Sequence, residues 1–239
     1  MKRSRIMWIH IQLHIPIYRE GIRHEIDKFK ISKNTDRNWL KAEYKLFLPI
    51  LDVIKKKLLR IKSILHIDET WTAVRIKLKG DGTKLGHYFK KYIWCLVNKA
   101  EGITYFFYDN DKNDSRGLRP IENFLGAFET GTIQSDAYVV YELLTKGWKD
   151  LIRYRDDGNY DIDNLVAERA IRPFTVHRKN AQSFGSDEGV QVACLFFTLC
   201  ETCKNFGVNF KEYVAYAAKE LISGNTDYES LAPWAIKLV

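Results

Sequence analysis

Three short runs of β-branched and aromatic residues constrain the fold of this chain more than any other feature. The second and third runs, at residues 92–97 and 103–108, are separated only by the polar segment 98–102, which ends in glycine. A short glycine-bearing connection between two such runs favours an antiparallel hairpin. The first run, at residues 64–67, leads directly into Asp68. We therefore predict a sheet in which the strand that ends at Asp68 lies beside the hairpin.

A fourth strand is predicted further along the chain. Residues 120–128 have the pattern of a short helix, and residues 131–135 form a brief extended run that leads into Asp136. The predicted order is strand, strand, strand, helix, strand, with an acid at the ends of the first and fourth strands. If these two strands are neighbours, Asp68 and Asp136 can face each other. A third acid, Glu168, lies on a predicted short helix among arginines.

Helical patterns flank the predicted sheet on both sides. Near the N-terminus, one of residues 34–36 can cap a helix, and Pro49 suits the first turn of a second helix. The apolar run 190–203 predicts a buried helix. The fold class is therefore α/β, a mixed sheet flanked by helices. We divide the chain into a helical N-terminal segment at 1–63, a core at 64–186 and a C-terminal helical region at 187–239.

Composition narrows the classes of partner. The hydrophobic fraction of 46% argues for a folded protein, and the formal charge of +8 favours an anionic partner, of which nucleic acid is the usual one. A merely basic soluble protein is the alternative. No secretory signal and no apolar stretch of about 18 residues is visible, so we expect a cytoplasmic protein with no membrane partner. Cys200 and Cys203 have the spacing of a redox or zinc pair, but the apolar run around them favours a buried helix face.

The three acids define a candidate site for phosphoryl chemistry. Carboxylates that converge on rigid elements can hold two divalent ions, about 3.5 to 4 Å apart, that activate an attacking oxygen and stabilise a leaving one. Such a site needs no side-chain nucleophile, and the chain contains no persuasive Ser-His-Asp or Cys-His arrangement. Spacing alone does not select this set, since the chain has 30 acidic residues. An isolated aspartate at the end of a strand is more often a turn former or a helix cap.

The sequences around the acids carry a family resemblance. Residues 66–70, 134–138 and 162–173 resemble the three acidic blocks of the transposases of insertion-sequence family sixty-six. The likeness extends in order over nearly the whole chain. Ahead of the first acid it includes residues 14–19 and 37–39, and after the third acid it includes residues 178–180, 184–186, 201–204 and 231–234.

This resemblance implies a DDE transposase of a bacterial insertion sequence, with a ribonuclease H-like core. By analogy with the family, Asp68, Asp136 and Glu168 would be the catalytic residues and would bind two Mg²⁺ ions, with Mn²⁺ as the alternative metal. Water or a DNA 3′-hydroxyl would attack a phosphodiester at the ends of the element. The implied partner is double-stranded DNA, both the terminal repeats of the element and the target. Self-association is also expected from the resemblance.

Basic residues near the third acid are candidate DNA contacts. Arg169 and Arg172 can either hold phosphates or orient Glu168 by ion pairing. We expect Pro173 to end the helix and His177, Arg178 and Lys179 to follow it in a loop that contacts the DNA backbone, with a solvated basic loop as the alternative. Before the helix, one of residues 163–164 is expected to serve as its cap. Trp71 and Tyr138 are expected to pack in the core rather than to stack on bases.

Two departures from the family pattern bear on activity. Leu165 stands where the family usually has a second asparagine. The interval between Asp136 and Glu168 is short, whereas the family carries a long segment there, so a fifth strand of the sheet is expected to be missing. We also expect an N-terminal truncation relative to the family. These departures keep two alternatives open: a non-catalytic DNA-binding remnant of a transposase, and another ribonuclease H-like nuclease.

Overall fold

The fold was analysed in a computed structural model. It describes residues 10–16, 19, 26, 31–60, 63–76, 86–109, 118–126, 131–135 and 163–236. Asp136, Tyr138 and the rest of the interval from 136 to 162 lie outside these residues. Among the helices described, none is long and apolar enough to cross a lipid bilayer.

The described strands form one mixed sheet of four strands. They are β1 (Ile64–Ile76), β2 (His87–Asn98), β3 (Ile103–Tyr108) and β4 (Thr132–Gln134), and their order across the sheet is β3-β2-β1-β4. The β1–β2 and β2–β3 pairs are antiparallel, whereas β4 is parallel to β1. The predicted hairpin is confirmed, and the first and fourth strands are neighbours in the sheet. The predicted α/β class with a mixed sheet is confirmed as well.

β1 is longer than the sequence pattern predicted. Pairing with β2 continues from Leu65 to Ile76, and Asp68 pairs with Cys95 in the interior of the strand. The expectation that Asp68 ends its strand was therefore wrong. The strand continues because the mixed polar and apolar residues after Asp68 alternate between the two faces of the sheet, with Thr72 and Val74 fully buried.

The N-terminal helical segment contains one long helix instead of two. Helix α1 runs from Lys33 to Leu58 with Pro49 in its interior, and its N-cap is Ser32, whose side chain accepts a hydrogen bond from the backbone N–H of Thr35. Both the predicted cap and the predicted break at the proline were wrong. The helix retains its proline because one face is buried against the core on both sides of it, at Phe47, Ile50 and Ile54.

Four further helices complete the described fold. They are α2 (Leu118–Leu125), α3 (Leu165–Ala181), α4 (Asp187–Asn205) and α5 (Phe210–Ile222). Helix α4 packs on β3 and α1. The predicted buried helix at 190–203 is confirmed, because Cys200 and Cys203 are buried free thiols on it. Burial raises the pKa of Cys200 to about 12. Residues from all three predicted segments contribute to a single hydrophobic core, and the division of the chain into those segments stays a prediction.

Candidate functional site

Asp68 lies on β1 beside the end of β4. Its side chain is half-buried, and Oδ1 accepts a hydrogen bond of 2.8 Å from the backbone N–H of Glu69. The parallel register pairs Ile64 with Thr132 and His66 with Gln134. The first acidic block therefore lies beside Gln134, the first residue of the second block, at one edge of β1.

The third acidic block is attached to the same edge by side-chain amides. Asn164 Nδ2, at the start of α3, donates a buried hydrogen bond of 2.8 Å to the carbonyl of Ile67. Gln134 Nε2, at the end of β4, donates a hydrogen bond of 2.8 Å to the carbonyl of Asp163. These two bonds join the start of α3 to β1 next to Asp68 and to β4 two residues before Asp136.

Two polar residues precede α3, and their side chains make different hydrogen bonds. Asp163 Oδ1 accepts a hydrogen bond of 3.1 Å from the backbone N–H of Leu165, while Asn164 occupies the N-cap position without a side-chain capping bond. The predicted cap is thus made by Asp163, and the Asn164 side chain is used to hold the sheet instead. The buried Asn164 Oδ1 has no hydrogen-bond partner among the described residues.

Glu168 occupies the first turn of α3, and its side chain is exposed. Its backbone N–H donates to the carbonyl of Asn164 at 3.1 Å, so the two residues are one helical turn apart. A carboxylate is favoured in this turn because it faces the positive end of the helix dipole. The described residues contain no group of three His, Cys, Asp or Glu side chains placed to hold a metal ion. This finding does not test the predicted triad, because Asp136 is not among them.

Two of the predicted DNA-binding residues are on the surface next to Glu168. Arg169 and Arg172 are both exposed on α3. Arg169 also lines a cavity of about 450 Å³ together with Lys99 of the β2–β3 turn and Asn205 at the end of α4. Both guanidinium groups can reach an anion outside the protein.

The other three predicted DNA-binding residues are not in a loop. α3 continues past Pro173 to Ala181, so His177, Arg178 and Lys179 are helical, and the prediction that Pro173 ends the helix was wrong. The helix continues because Ile171, Phe174 and His177 recur at a helical spacing and are buried on one face. Lys179 is exposed, and its predicted contact with DNA stays a prediction.

His177 has a core position. Its side chain is 0% exposed, and the ring centroid lies 4.7 Å from that of His10 and 5.5 Å from that of Phe197. Burial, reinforced by the neighbouring His10 and His14, lowers the pKa of His177 to about 2, so the ring is neutral near pH 7. An uncharged, enclosed ring cannot contact a DNA phosphate from this position. The DNA-binding role predicted for His177 is therefore withdrawn.

Arg178 ties the second half of α3 to β1. Its Nη1 donates to the Trp71 carbonyl at 2.7 Å and to Thr70 Oγ1 at 2.9 Å, and its guanidinium lies 4.6 Å from the centre of the Trp71 ring. Lys90 Nζ lies 5.5 Å from the same ring. Trp71 is 43% exposed, so the expectation of core packing was wrong. The ring is instead a platform for two cations on the surface of the sheet.

Sequence reasoning missed the residues that hold the site together. Nothing in the local pattern shows that Gln134, Asn164 and Arg178 bond to backbone carbonyls of other elements. The one available signal was the pair of polar residues directly before α3, of which only one is needed as a cap. The partners themselves are distant in the sequence, so the pattern could not identify them.

Comparison with known proteins agrees with this arrangement of motifs. The model of the family described as "Transposase IS66 family" matches residues 3–148 and 142–192 of the chain. This match places the chain among transposases. Because the match covers most of its length, the chain belongs to the IS66 transposase family.

Two relatives from Sinorhizobium fredii (strain NBRC 101917 / NGR234) share part of the chain. The uncharacterized protein y4qI is 36% identical over 89 residues, which are 36% of this chain and 16% of that protein. The uncharacterized protein y4jD is 27% identical over 90 residues, which are 36% of this chain and 18% of that protein. The aligned part of the chain therefore spans less than a fifth of the length of either curated relative.

Proposed function

We propose that this protein is a DDE-type transposase with a ribonuclease H-like core, which cleaves and joins DNA strands at the ends of an insertion sequence. The observation that carries the proposal is the pair of hydrogen bonds from Asn164 to Ile67 and from Gln134 to Asp163. They join the start of the third acidic block to β1 beside Asp68 and to Gln134, the first residue of the second block. Family membership supports the same chemistry.

The register of the sheet supports the proposed partnership of the first two acids. β4 is parallel to β1, and His66 pairs with Gln134. The same register, continued by two residues on each strand, would bring Asp136 opposite Asp68. The mixed sheet, with β1 between an antiparallel and a parallel neighbour, also supports the ribonuclease H-like assignment.

The residues at this edge suit a hard divalent cation. Asp68 and Glu168 offer carboxylate oxygens, and the buried Asn164 Oδ1 has no hydrogen-bond partner among the described residues. Carboxylate and amide oxygens are the ligands that Mg²⁺ and Mn²⁺ prefer. We propose that Asp68, Asp136 and Glu168 hold two such ions. Bound there, the ions would activate the attacking oxygen and stabilise the leaving oxygen of a phosphodiester.

We propose that the side chains around the acids position Glu168 and bind the DNA. Asn164 holds the start of α3 against β1. We propose that this bond positions Glu168 to act together with Asp68. Arg169 and Arg172 are exposed next to Glu168, and we propose that they bind phosphates of double-stranded DNA on either side of the scissile bond. The DNA would be the terminal repeats of the element and the target. Self-association on paired DNA ends is part of the same proposal.

A second candidate, a DNA-binding remnant without catalysis, is favoured by one observation. The family model matches in two parts that overlap at residues 142–148, inside the interval in which the sequence predicts a missing segment. A shortened interval would shift the second acid relative to the third. The basic surface would survive such a change, whereas two-metal catalysis requires closely placed ligands.

Metal-dependent nicking of DNA tests the proposal. We expect duplex DNA carrying the terminal repeats of the element to be nicked in Mg²⁺ or Mn²⁺ and not in EDTA. Glu168→Gln should slow nicking by roughly a thousandfold, because it removes several kcal/mol of transition-state stabilisation. Glu212→Gln is the matched control, since Glu212 is also an exposed glutamate in the first turn of a helix, α5.

The outcomes separate the two candidates. Nicking that is lost in Glu168→Gln and in Asp68→Asn but kept in Glu212→Gln supports the transposase. DNA binding by the unaltered protein with no nicking in either metal supports the remnant. Nicking that is unchanged by Glu168→Gln would contradict the proposed role of this acid.

A further inference from the structure

A cleft lined by apolar and basic residues lies at the opposite end of β1 and α3 from the acids. Its volume is about 440 Å³. Three basic side chains line it, namely Arg37 and Lys41 of α1 and Arg75 near the end of β1, and its described lining includes no aspartate or glutamate. We call it the basic cleft. Its wall continues through residues 183–186, which lead into α4.

The charge of the basic cleft is only partly balanced within the protein. Lys41 forms an ion pair with Glu188 in the first turn of α4. Arg37 is exposed and makes one long contact, 3.5 Å, from Nη1 to Asn34 Oδ1. The Arg75 guanidinium has no ion pair among the described residues, although its backbone N–H bonds to the Phe184 carbonyl at 2.9 Å. An anion in the cleft would therefore meet positive charge from two elements that are distant in the sequence.

Two further features of the wall indicate space for a ligand. Gly185 has an ordinary backbone conformation, and a Cβ added to it would meet no atom within 4 Å. Neither its conformation nor its packing requires glycine, and its absence of a side chain keeps the backbone open to close approach. The start of α4 adds the positive end of a helix dipole, which Asp187 and Glu188 in its first turn partly offset.

We propose that the basic cleft binds a backbone phosphate of the DNA whose cleavage is proposed above, at a distance from the scissile bond. This inference rests on the proposed function, because it assumes that DNA lies over the acids. Along β1, the path from Asp68 to Arg75 is about 23 Å at the usual rise of a strand. Phosphates follow one another every 3.4 Å or so along one strand of DNA, so the contact would fall about seven nucleotides from the cut.

The test measures DNA binding without metal, so that it does not depend on cleavage. Binding of a fluorescent duplex is followed by anisotropy in EDTA at several salt concentrations. Arg75→Gln should weaken binding by about tenfold and lower the slope of log K against log salt by about one, as expected for one lost phosphate contact. Lys219→Gln removes an equal charge from an exposed position on α5 and should leave both quantities unchanged.

A second variant fills the cleft without changing its charge. Gly185→Leu places a side chain in the open space and should weaken DNA binding about as much as Arg75→Gln. Thermal unfolding of both variants, within about 2 °C of the unaltered protein, shows that the fold is retained. Asp68→Asn should lose nicking but bind DNA in EDTA at least as tightly as the unaltered protein, because it removes a negative charge near the DNA. This contrast separates a failure of the cleft from a failure of the catalytic site.

A competition with inorganic phosphate distinguishes the two sources of the anion. A DNA phosphodiester held by many simultaneous contacts should not be displaced by phosphate beyond the effect of ionic strength alone. Displacement by low millimolar phosphate would show that the basic cleft is a site for a small anion and would overturn the proposal. Equal affinity and equal salt slope for the unaltered protein, Arg75→Gln and Gly185→Leu would also overturn it, while leaving the nicking result intact.

Discussion

The two ends of α3 differ in what holds them in place. At the N-terminal end, the exposed Glu168 follows a segment that two side-chain amides join to the sheet. At the C-terminal end, Phe174 and His177 are fully buried among aromatic rings. The difference teaches that the two ends of this helix are held by different interactions. Its C-terminal half is held by apolar packing, and the start of its N-terminal half is held by side-chain hydrogen bonds to β1 and β4.

The largest expected effect on stability is at the buried end. Phe174→Ala removes a ring that is 0% exposed and lies 5.0 Å from Phe197 and 6.0 Å from Phe106, so we expect a loss of about 3–5 kcal/mol of unfolding free energy. Val176→Ala, on the exposed side of the same helix, should change it by less than about 0.5 kcal/mol. Urea unfolding measures both. Equal losses would show that the anchor does not lie on this face.

The next largest effect is expected at the N-terminal end of α3, where one substitution should lower both the free energy of unfolding and the rate of nicking. Asn164→Ala leaves the buried carbonyl of Ile67 without its partner, which costs about 1–3 kcal/mol. It should also slow nicking by about tenfold or more, because Glu168 loses its fixed position. Asn209→Ala is the control: Asn209 caps α5 and accepts a hydrogen bond from the Glu212 N–H, so its loss should cost about 1 kcal/mol and leave nicking unchanged. Equal nicking by both variants would refute the positioning role.

Acid should weaken the buried end through His177. Its pKa is about 2 in the folded protein and 6.5 ordinarily, so between these values the unfolded chain binds the extra proton. The contribution of His177 to the free energy of unfolding is therefore fully present above pH 6.5. It falls as the pH is lowered, by about 2 kcal/mol at pH 5. His177→Phe should reduce the loss between pH 7 and pH 5, as followed by thermal unfolding.

Part of the acid sensitivity should survive this substitution. Burial also lowers the pKa values of His10 and His14, so these rings act in the same direction. At pH 7, His177→Phe should match or slightly exceed the unaltered protein in stability, because it removes two buried nitrogens that lack partners among the described residues. An unchanged dependence on pH would mean that His177 does not titrate between the folded and unfolded states.

The smallest expected effect is a difference in stability between substitutions of two adjacent basic residues on α3. Arg178→Met breaks the bonds to Thr70 and to the Trp71 carbonyl, and should cost about 1–2 kcal/mol. Lys179→Met, at an exposed position, should change stability by less than about 0.5 kcal/mol and should weaken DNA binding if Lys179 contacts a phosphate. Thermal unfolding and DNA anisotropy measure the two properties. The reverse ranking in stability would contradict the assignment of Arg178 to the scaffold.

The sheet was predictable because its signals are local. The runs at 92–97 and 103–108 form the hairpin, and the brief run at 131–135 contains β4. The two helix breaks predicted from proline were wrong because packing overrides a local preference: Pro49 and Pro173 both lie inside helices with a buried face. The extent of β1 was missed because its second half has no continuous apolar run.

The sequence by itself determined the order of the elements, the three acidic blocks and the family to which the chain belongs. These properties depend on short stretches of adjacent residues. Only the tertiary structure showed that His177 is buried, that Arg178 is bound to β1 and that Arg37, Lys41 and Arg75 line one cleft. Burial and convergence arise from contacts between residues far apart in the chain, and a single sequence does not encode those contacts in any local pattern. The acidic block at the start of α3 was therefore identified from the local sequence, whereas the contacts of the basic residues near its end were identified only from the tertiary structure.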